Sequence, residues 1–207
     1  MKRLLFLFVA IFATTALWAS DFKDGHEYVD LGLSVKWATC NVGANKPEEY
    51  GDYFAWGEVK PKEVYDWSTY KWYNSSTDRI TKFYKNGLFE LSDDAARVNW
   101  GSSWRMPTME EQDELRIQCT WTWTTQNGVN GYKVTSKSNG NSIFLPAAGF
   151  RYDSSLFDVG SDGNYWSSSY NRYAPGRAGY NFNFDSSSVD KYEYFRFIGQ
   201  SVRPVCP

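Results

Sequence analysis

Six Asn-Gly or Asp-Gly dipeptides punctuate this chain, at Asp24-Gly25, Asn86-Gly87, Asn127-Gly128, Asn130-Gly131, Asn139-Gly140 and Asp162-Gly163. Such pairs accept the left-handed backbone of tight hairpin turns, so each marks a place where a strand can reverse. Between them lie short runs rich in aromatic and β-branched residues, the pattern of antiparallel strands. The runs are 34–38, 53–56, 121–125, 132–135, 142–145, Ala178–Phe184 and 201–205. In Thr120-Trp121-Thr122-Trp123-Thr124 the alternation is strict, which sends both indoles one way and the threonines the other.

Two helices break this pattern. Thr108 and Glu111 form a capping box just after Pro107, and predict a helix over Met109–Gln118 that carries Leu115 and Ile117. A shorter helix is expected after Ser92, with Asp93 and Asp94 in its first turn, where the helix dipole favours negative charge. Both helices are placed in the first half, and the second half reads as strand and loop. The expected class is α+β, with mostly short antiparallel strands and no repeating βαβ unit. Gly32-Leu33-Ser34-Val35-Lys36 is echoed by Gly199-Gln200-Ser201-Val202-Arg203. Chance explains a match this short. Taken structurally, it pairs the first and last strands with Val35 opposite Val202.

Lys2 and Arg3 precede an apolar run over residues 4–18, and Ala19 offers a small residue at a cut. That is the layout of a secretory signal peptide, and the run is shorter than the roughly 20 residues a membrane span needs. Residues 1–19 are thus expected to be removed, leaving 20–207 as a single exported domain in the periplasm, at the cell surface or secreted. The mature chain is expected to carry no transmembrane segment. It would hold 20 Lys and Arg against 24 Asp and Glu, a net charge of −4 that gives no footprint for nucleic acid. A histidine-based zinc site or a Ser-His-Asp triad would rest on the single His26, close to the new N-terminus in a segment expected to be mobile. No catalytic residue, metal or cofactor is therefore expected, and the chain reads as a non-enzyme.

The stretches Tyr28-Val29-Asp30-Leu31-Gly32-Leu33-Ser34-Val35-Lys36-Trp37-Ala38-Thr39-Cys40-Asn41-Val42-Gly43-Ala44 and Tyr50-Gly51-Asp52-Tyr53-Phe54-Ala55-Trp56-Gly57-Glu58 resemble the Fibrobacter succinogenes major paralogous domain family. Trp104-Arg105-Met106-Pro107-Thr108, Phe144-Leu145-Pro146-Ala147-Ala148-Gly149, Tyr165-Trp166-Ser167-Ser168-Ser169 and Ser201-Val202-Arg203-Pro204-Val205 extend the resemblance over residues 25–205. It implies a fold similar to the C-type lectins and formylglycine-generating enzymes, in which first and last strands pair. It implies no activity. The close cysteine pair that binds copper in those enzymes has no counterpart in the widely spaced Cys40, Cys119 and Cys206. The lectin calcium motifs are missing too, and Asp158, Asp162 and Asn164 read more simply as a turn than as calcium ligands. Export favours disulfides, so either Cys40 bridges Cys119 or all three thiols stay free, with Cys206 exposed at the terminus.

The C-terminal part carries the functional signal. Residues 164–198 hold six Tyr, six Ser, four Asn and two Gly, the composition of an adaptable recognition surface. Arg172, Arg177 and Arg196 add stackable donors. The candidate ligand-binding residues are Tyr170, Asn171, Arg172, Tyr173, Arg177, Tyr180, Tyr192 and Tyr194. The ligand would be a glycan or a protein surface; the alternative readings are an enzyme on the formylglycine-generating-enzyme-like scaffold and a surface-coat protein without a specific ligand. Edge strands with polar loops give the same composition without a ligand. Phe182 and Phe184 are expected in the core, as are Trp37, Trp56, Trp100, Trp104 and Trp166, while Trp67 and Trp72 are the candidates for exposed rings.

Overall fold

The computed structural model describes residues 21–84, 90–170 and 176–207. Strands β1 (Asp21–Lys23), β2 (His26–Val29), β3 (Lys36–Ala38) and β14 (Val205–Cys206) form one antiparallel sheet in the order β1-β2-β3-β14. N-terminal and C-terminal strands thus pair as expected, but in a different register. Lys36 faces Cys206 and Trp37 faces Val205, so Val35 does not meet Val202. The segment before β14 is held elsewhere: Gln200 exchanges backbone hydrogen bonds with Phe54, and Ser201 N–H donates to the Asn164 carbonyl at 3.1 Å. These contacts fix 200–203 against the middle of the chain and leave only the last residues for β3.

This register buries the chain up to Cys206. Cys206 is fully buried in the core, against the expectation of an exposed thiol, and the unbridged alternative for the cysteines is the one observed. Cys40 and Cys206 belong to one hydrophobic cluster and Cys119 to another. His26 differs as well. It lies within β2, and its ring stacks on Trp100 at 3.8 Å, which pins the start of the domain.

A second sheet is the meander β6 (Cys119–Gln126), β7 (Val129–Ser136) and β8 (Ser142–Pro146). Asn127 and Gly128 make its first turn with φ of 49° and 86°, as their sequence predicts. Asn130-Gly131, in contrast, sits inside β7. A Cβ on Gly131 would lie 2.3 Å from the Leu145 carbonyl, so the glycine serves close strand approach there. The third sheet is β11 (Gly163–Tyr170), β12 (Ala178–Phe184) and β13 (Val189–Phe195), with β13 at its edge. Two small hairpins complete the strands: β4 (Tyr73–Asn74) with β5 (Arg79–Ile80), and β9 (Phe150–Tyr152) with β10 (Ser155–Phe157).

Both helices precede β6. A 3-10 turn, Leu91–Asp93, leads into α1 (Ala95–Trp100), whose cap is Asp94 accepting the Arg97 N–H. Asp93 was expected in that helix's first turn; instead it is buried ahead of it, where it takes the Tyr84 hydroxyl at 2.9 Å and pairs with Lys82. Helix α2 (Met109–Gln118) matches its predicted bounds, and the Thr108–Glu111 capping box is reciprocal. Its N-terminus is latched to β11, since the Met109 N–H donates to Ser169 Oγ at 2.9 Å and the Ser168 N–H to the Pro107 carbonyl at 2.8 Å.

Two cores result. One gathers Trp56, Trp104 and Trp166, the other Trp37, Leu115, Tyr132 and Phe184. All five tryptophans expected inside are buried, as are Phe182 and Phe184. Trp67 and Trp72 are half-buried rather than exposed and pack on the first core. Arg203 lies wholly inside: its guanidinium donates to Asn41 Oδ1 at 2.8 Å and to the carbonyls of Ala38, Thr39 and Phe144. Burial pushes its pKa down, and four acceptors are what a buried cation requires.

Candidate binding surface

The register of β12 with β13 decides what each predicted residue can do. Tyr180 stands opposite Glu193 and Asn181 opposite Tyr192, so Tyr180 and the pair Tyr192, Tyr194 point to opposite faces of the sheet. One face carries Tyr165, Phe182 and Phe184 into the second core. The other carries Trp166 and the buried Asn164 and Asn181, and at its edge Tyr192 and Tyr194 emerge.

From those two tyrosines a chain of ring contacts runs along the β9–β10 hairpin and the end of β13, dipping into the first core at the buried Phe197. Tyr192 meets Tyr194 at 5.6 Å between centroids, Tyr194 meets Phe150 at 5.9 Å, and Phe150 stacks on Phe157 at 5.7 Å. Phe157 meets Tyr152 at 6.4 Å, Tyr152 meets Phe197 at 5.7 Å, and Phe197 stacks on Phe195 at 5.7 Å. Phe195 packs on Trp67 at 5.8 Å and Trp67 on Tyr73 at 5.1 Å. The belt is built from three elements: the β9–β10 hairpin, β13 with the residues after it, and the loop into β4. Much of it is open, with Tyr192 60%, Phe195 52%, Tyr152 50% and Phe157 43% exposed. Single exposed apolar residues are ordinary, whereas a contiguous patch marks an interaction site.

One end of the belt is polar. The Arg177 guanidinium lies 5.4 Å from the Trp67 ring centre and pairs with Asp78 at 2.6 Å. Tyr73 donates its hydroxyl to the same carboxylate at 2.6 Å. Those hydrogen bonds hold the Asp78 carboxyl below its ordinary pKa and raise the Tyr73 phenol. At the other end burial raises the Tyr194 phenol, with Tyr192 and then Asp158 adding to the effect. The surface therefore offers flat rings edged by neutral hydroxyls and one internally paired charge.

Of the sequence candidates, Arg177 lies at one end of this belt and Tyr192 and Tyr194 at the other. Tyr180 is half-buried on the opposite face. Tyr170 turns inward and packs against Trp56 and Tyr84, with the buried Arg196 guanidinium 5.0 Å from its ring. Arg196 is thus a core residue and not a surface donor, because its Nη1 and Nε serve the carbonyls of Lys82 and Ala178. Asn171, Arg172 and Tyr173 lie outside the described residues. The composition signal missed Phe150, Tyr152, Phe157 and Phe195. The first three were findable from the segment Phe150-Arg151-Tyr152-Asp153-Ser154-Ser155-Leu156-Phe157, whose aromatic residues flank an Asp-Ser turn.

A cavity lies elsewhere, a cleft of about 640 Å³ lined by Lys23, Glu90, Asp94, Arg97, Trp104 and Arg105. Glu90, Asp94, Arg97 and Arg105 are occupied with the fold, Glu90 through Lys82 at 2.9 Å. Arg105 is bidentate to Glu111, Arg97 donates to the Ser102 carbonyl, and Asp94 takes the Met106 N–H. Among the described residues, no three His, Cys, Asp or Glu side chains converge as metal ligands. Asp158 and Asp162 build a turn in which the Asp162 N–H donates to the Asp158 carbonyl at 2.9 Å, and Asn164 points inward to accept from Asn183. Burial raises all three thiols, Cys119 to about 11, which makes them poor nucleophiles at neutral pH. No helix among the described residues is long and apolar enough to cross a membrane. Comparison with protein-family models, with curated proteins and with solved structures finds no match for this chain.

Proposed function

We propose that this chain is an exported, non-catalytic binding module that takes a glycan chain on its aromatic belt. The observation that carries the reading is the unbroken run of ring contacts from Tyr192 to Tyr73, with four of its rings more than two-fifths exposed. Flat rings stack on the apolar faces of sugars, and the exposed Tyr152 and Tyr192 bring hydroxyls that can partner sugar hydroxyls. Export rests on the basic start and the apolar run of residues 4–18. A C-type-lectin-like fold of the Fibrobacter succinogenes major paralogous domain family is supported by the sequence resemblance and by the pairing of β3 with β14.

The test is a glycan array probed with the mature chain and with Tyr152→Ala/Phe157→Ala. Exposed anchors at the centre of an interface contribute about 2 kcal/mol or more each, so the double variant should lose retention while melting as the parent does. Retention undiminished in that variant, or no retained glycan at all, overturns the reading. Capture of a protein instead of a sugar makes the belt a protein interface.

A further inference from the structure

Strand β13 ends its sheet, and among the described residues no strand pairs with its outer side. Long edges are usually blunted, because their free N–H and C=O groups invite another strand. Here the edge carries Lys191, Tyr192 and Glu193 in succession, all exposed. Lys191 and Glu193 face the side of α2, where Lys191 also reaches Asp113 at 3.1 Å, and Tyr192 faces the belt.

We infer that β13 pairs antiparallel with β13 of a second copy of this chain, about a two-fold axis through Tyr192. A two-fold axis normal to the sheet keeps each residue on its own face, so the pairing can be centred on any one residue. Centring on Lys191 sets lysine against lysine, and centring on Glu193 sets glutamate against glutamate. Only the register centred on Tyr192 places each Lys191 opposite Glu193 of the other copy, twice by symmetry. Opposite charges directly across a ladder stabilise it and like charges do the reverse. The same register brings Val189 against Phe195 and covers part of a ring that is 52% exposed in the single chain. It also joins the two belts at Tyr192 into one surface, although the pairing holds whether or not the belt takes a ligand.

Sedimentation of the full mature chain over a concentration series tests this. The unaltered chain should be a dimer that weakens with added salt. Glu193→Lys, which leaves the Lys191–Asp113 pair intact, should weaken association roughly tenfold or more, as should Lys191→Glu. Combining the two exchanges the charges and should restore the dimer. Hydrogen exchange at the β13 amides should slow as concentration rises, in the parent and in the double variant alone. A parent that stays monomeric at its highest soluble concentration overturns the proposal. So does a dimer indifferent to either single exchange, or a double variant no better than the singles.

Discussion

β11 and β13 flank the same strand, are similar in length and are both rich in tyrosine, yet their surroundings are opposite. Seven of the eight residues of β11, Gly163 through Ser169, are buried, whereas β13 has five of seven exposed. The serines of β11 are structural. Ser167 Oγ donates to the Tyr180 carbonyl at 3.0 Å and Ser168 Oγ to the Pro107 carbonyl at 3.1 Å, so hydroxyls that read as surface chemistry tie an interior strand to its neighbours. The composition that suggests an adaptable recognition surface therefore has two origins, a polar interior and an aromatic edge. Only the edge is free to meet a ligand.

The contrast breaks most severely at Trp166, which is wholly buried and donates its indole N–H to the Phe54 carbonyl at 2.8 Å. Trp166→Ala should cost about 3–5 kcal/mol, enough to abolish cooperative urea unfolding in a domain of ordinary stability. A loss below 1 kcal/mol would mean that β11 is not the interior strand described here.

A smaller effect lies at the capping box of α2, where Glu111 meets Arg105 and Thr108. Burial alone would raise the Glu111 pKa, but the hydrogen bonds from Arg105 and from the Thr108 N–H outweigh it and hold the carboxyl below the ordinary glutamate value. A depressed folded-state pKa adds stability that is complete above the unfolded value of about 4.3 and is lost as pH falls through the folded value. Glu111→Gln should cost about 1–2 kcal/mol at pH 7 and flatten this part of the acid limb. An acid limb of unchanged steepness, measured by denaturant titration from pH 7 downward, would mean that the Arg105–Glu111 pair adds nothing to stability.

Local signals in the sequence were faithful where the cause of an element is local. The Thr108–Glu111 box, the Asn127-Gly128 turn and the alternation in β6 and β12 each set a backbone feature within a few residues, and each is found in place. What failed depends on distant partners. Ser167-Ser168-Ser169 makes a buried strand only because Pro107 and Tyr180 supply acceptors, and residues 189–195, absent from the expected strands, become β13 because β12 fixes them. The binding surface was half legible for the same reason. Tyr192 and Tyr194 lie in the flagged segment, but their neighbours Phe150, Tyr152, Phe157 and Trp67 come from stretches 35 to 127 residues away in sequence, and no local composition window spans that distance.

The smallest expected change in stability is at the edge itself, and it is the sharpest form of the comparison. Tyr192 is 60% exposed and among the described residues its one ring neighbour is Tyr194, so Tyr192→Ala removes little buried area. Its effect on unfolding free energy should stay within about 0.5 kcal/mol, as for surface substitutions away from special features. Tyr165, the β11 tyrosine, is the control. It is buried, donates its hydroxyl to the Pro146 carbonyl at 2.7 Å, and burial pushes its pKa up to about 12. Tyr165→Phe keeps the ring but removes a buried hydrogen bond and leaves that carbonyl with the Ala148 N–H, which should cost about 1 kcal/mol. Urea unfolding of the two variants side by side, at a concentration where the chain is monomeric, gives the answer. A Tyr192→Ala variant as unstable as Tyr165→Phe would mean that the β13 edge is covered in the folded chain, and the belt could not then be an open binding surface.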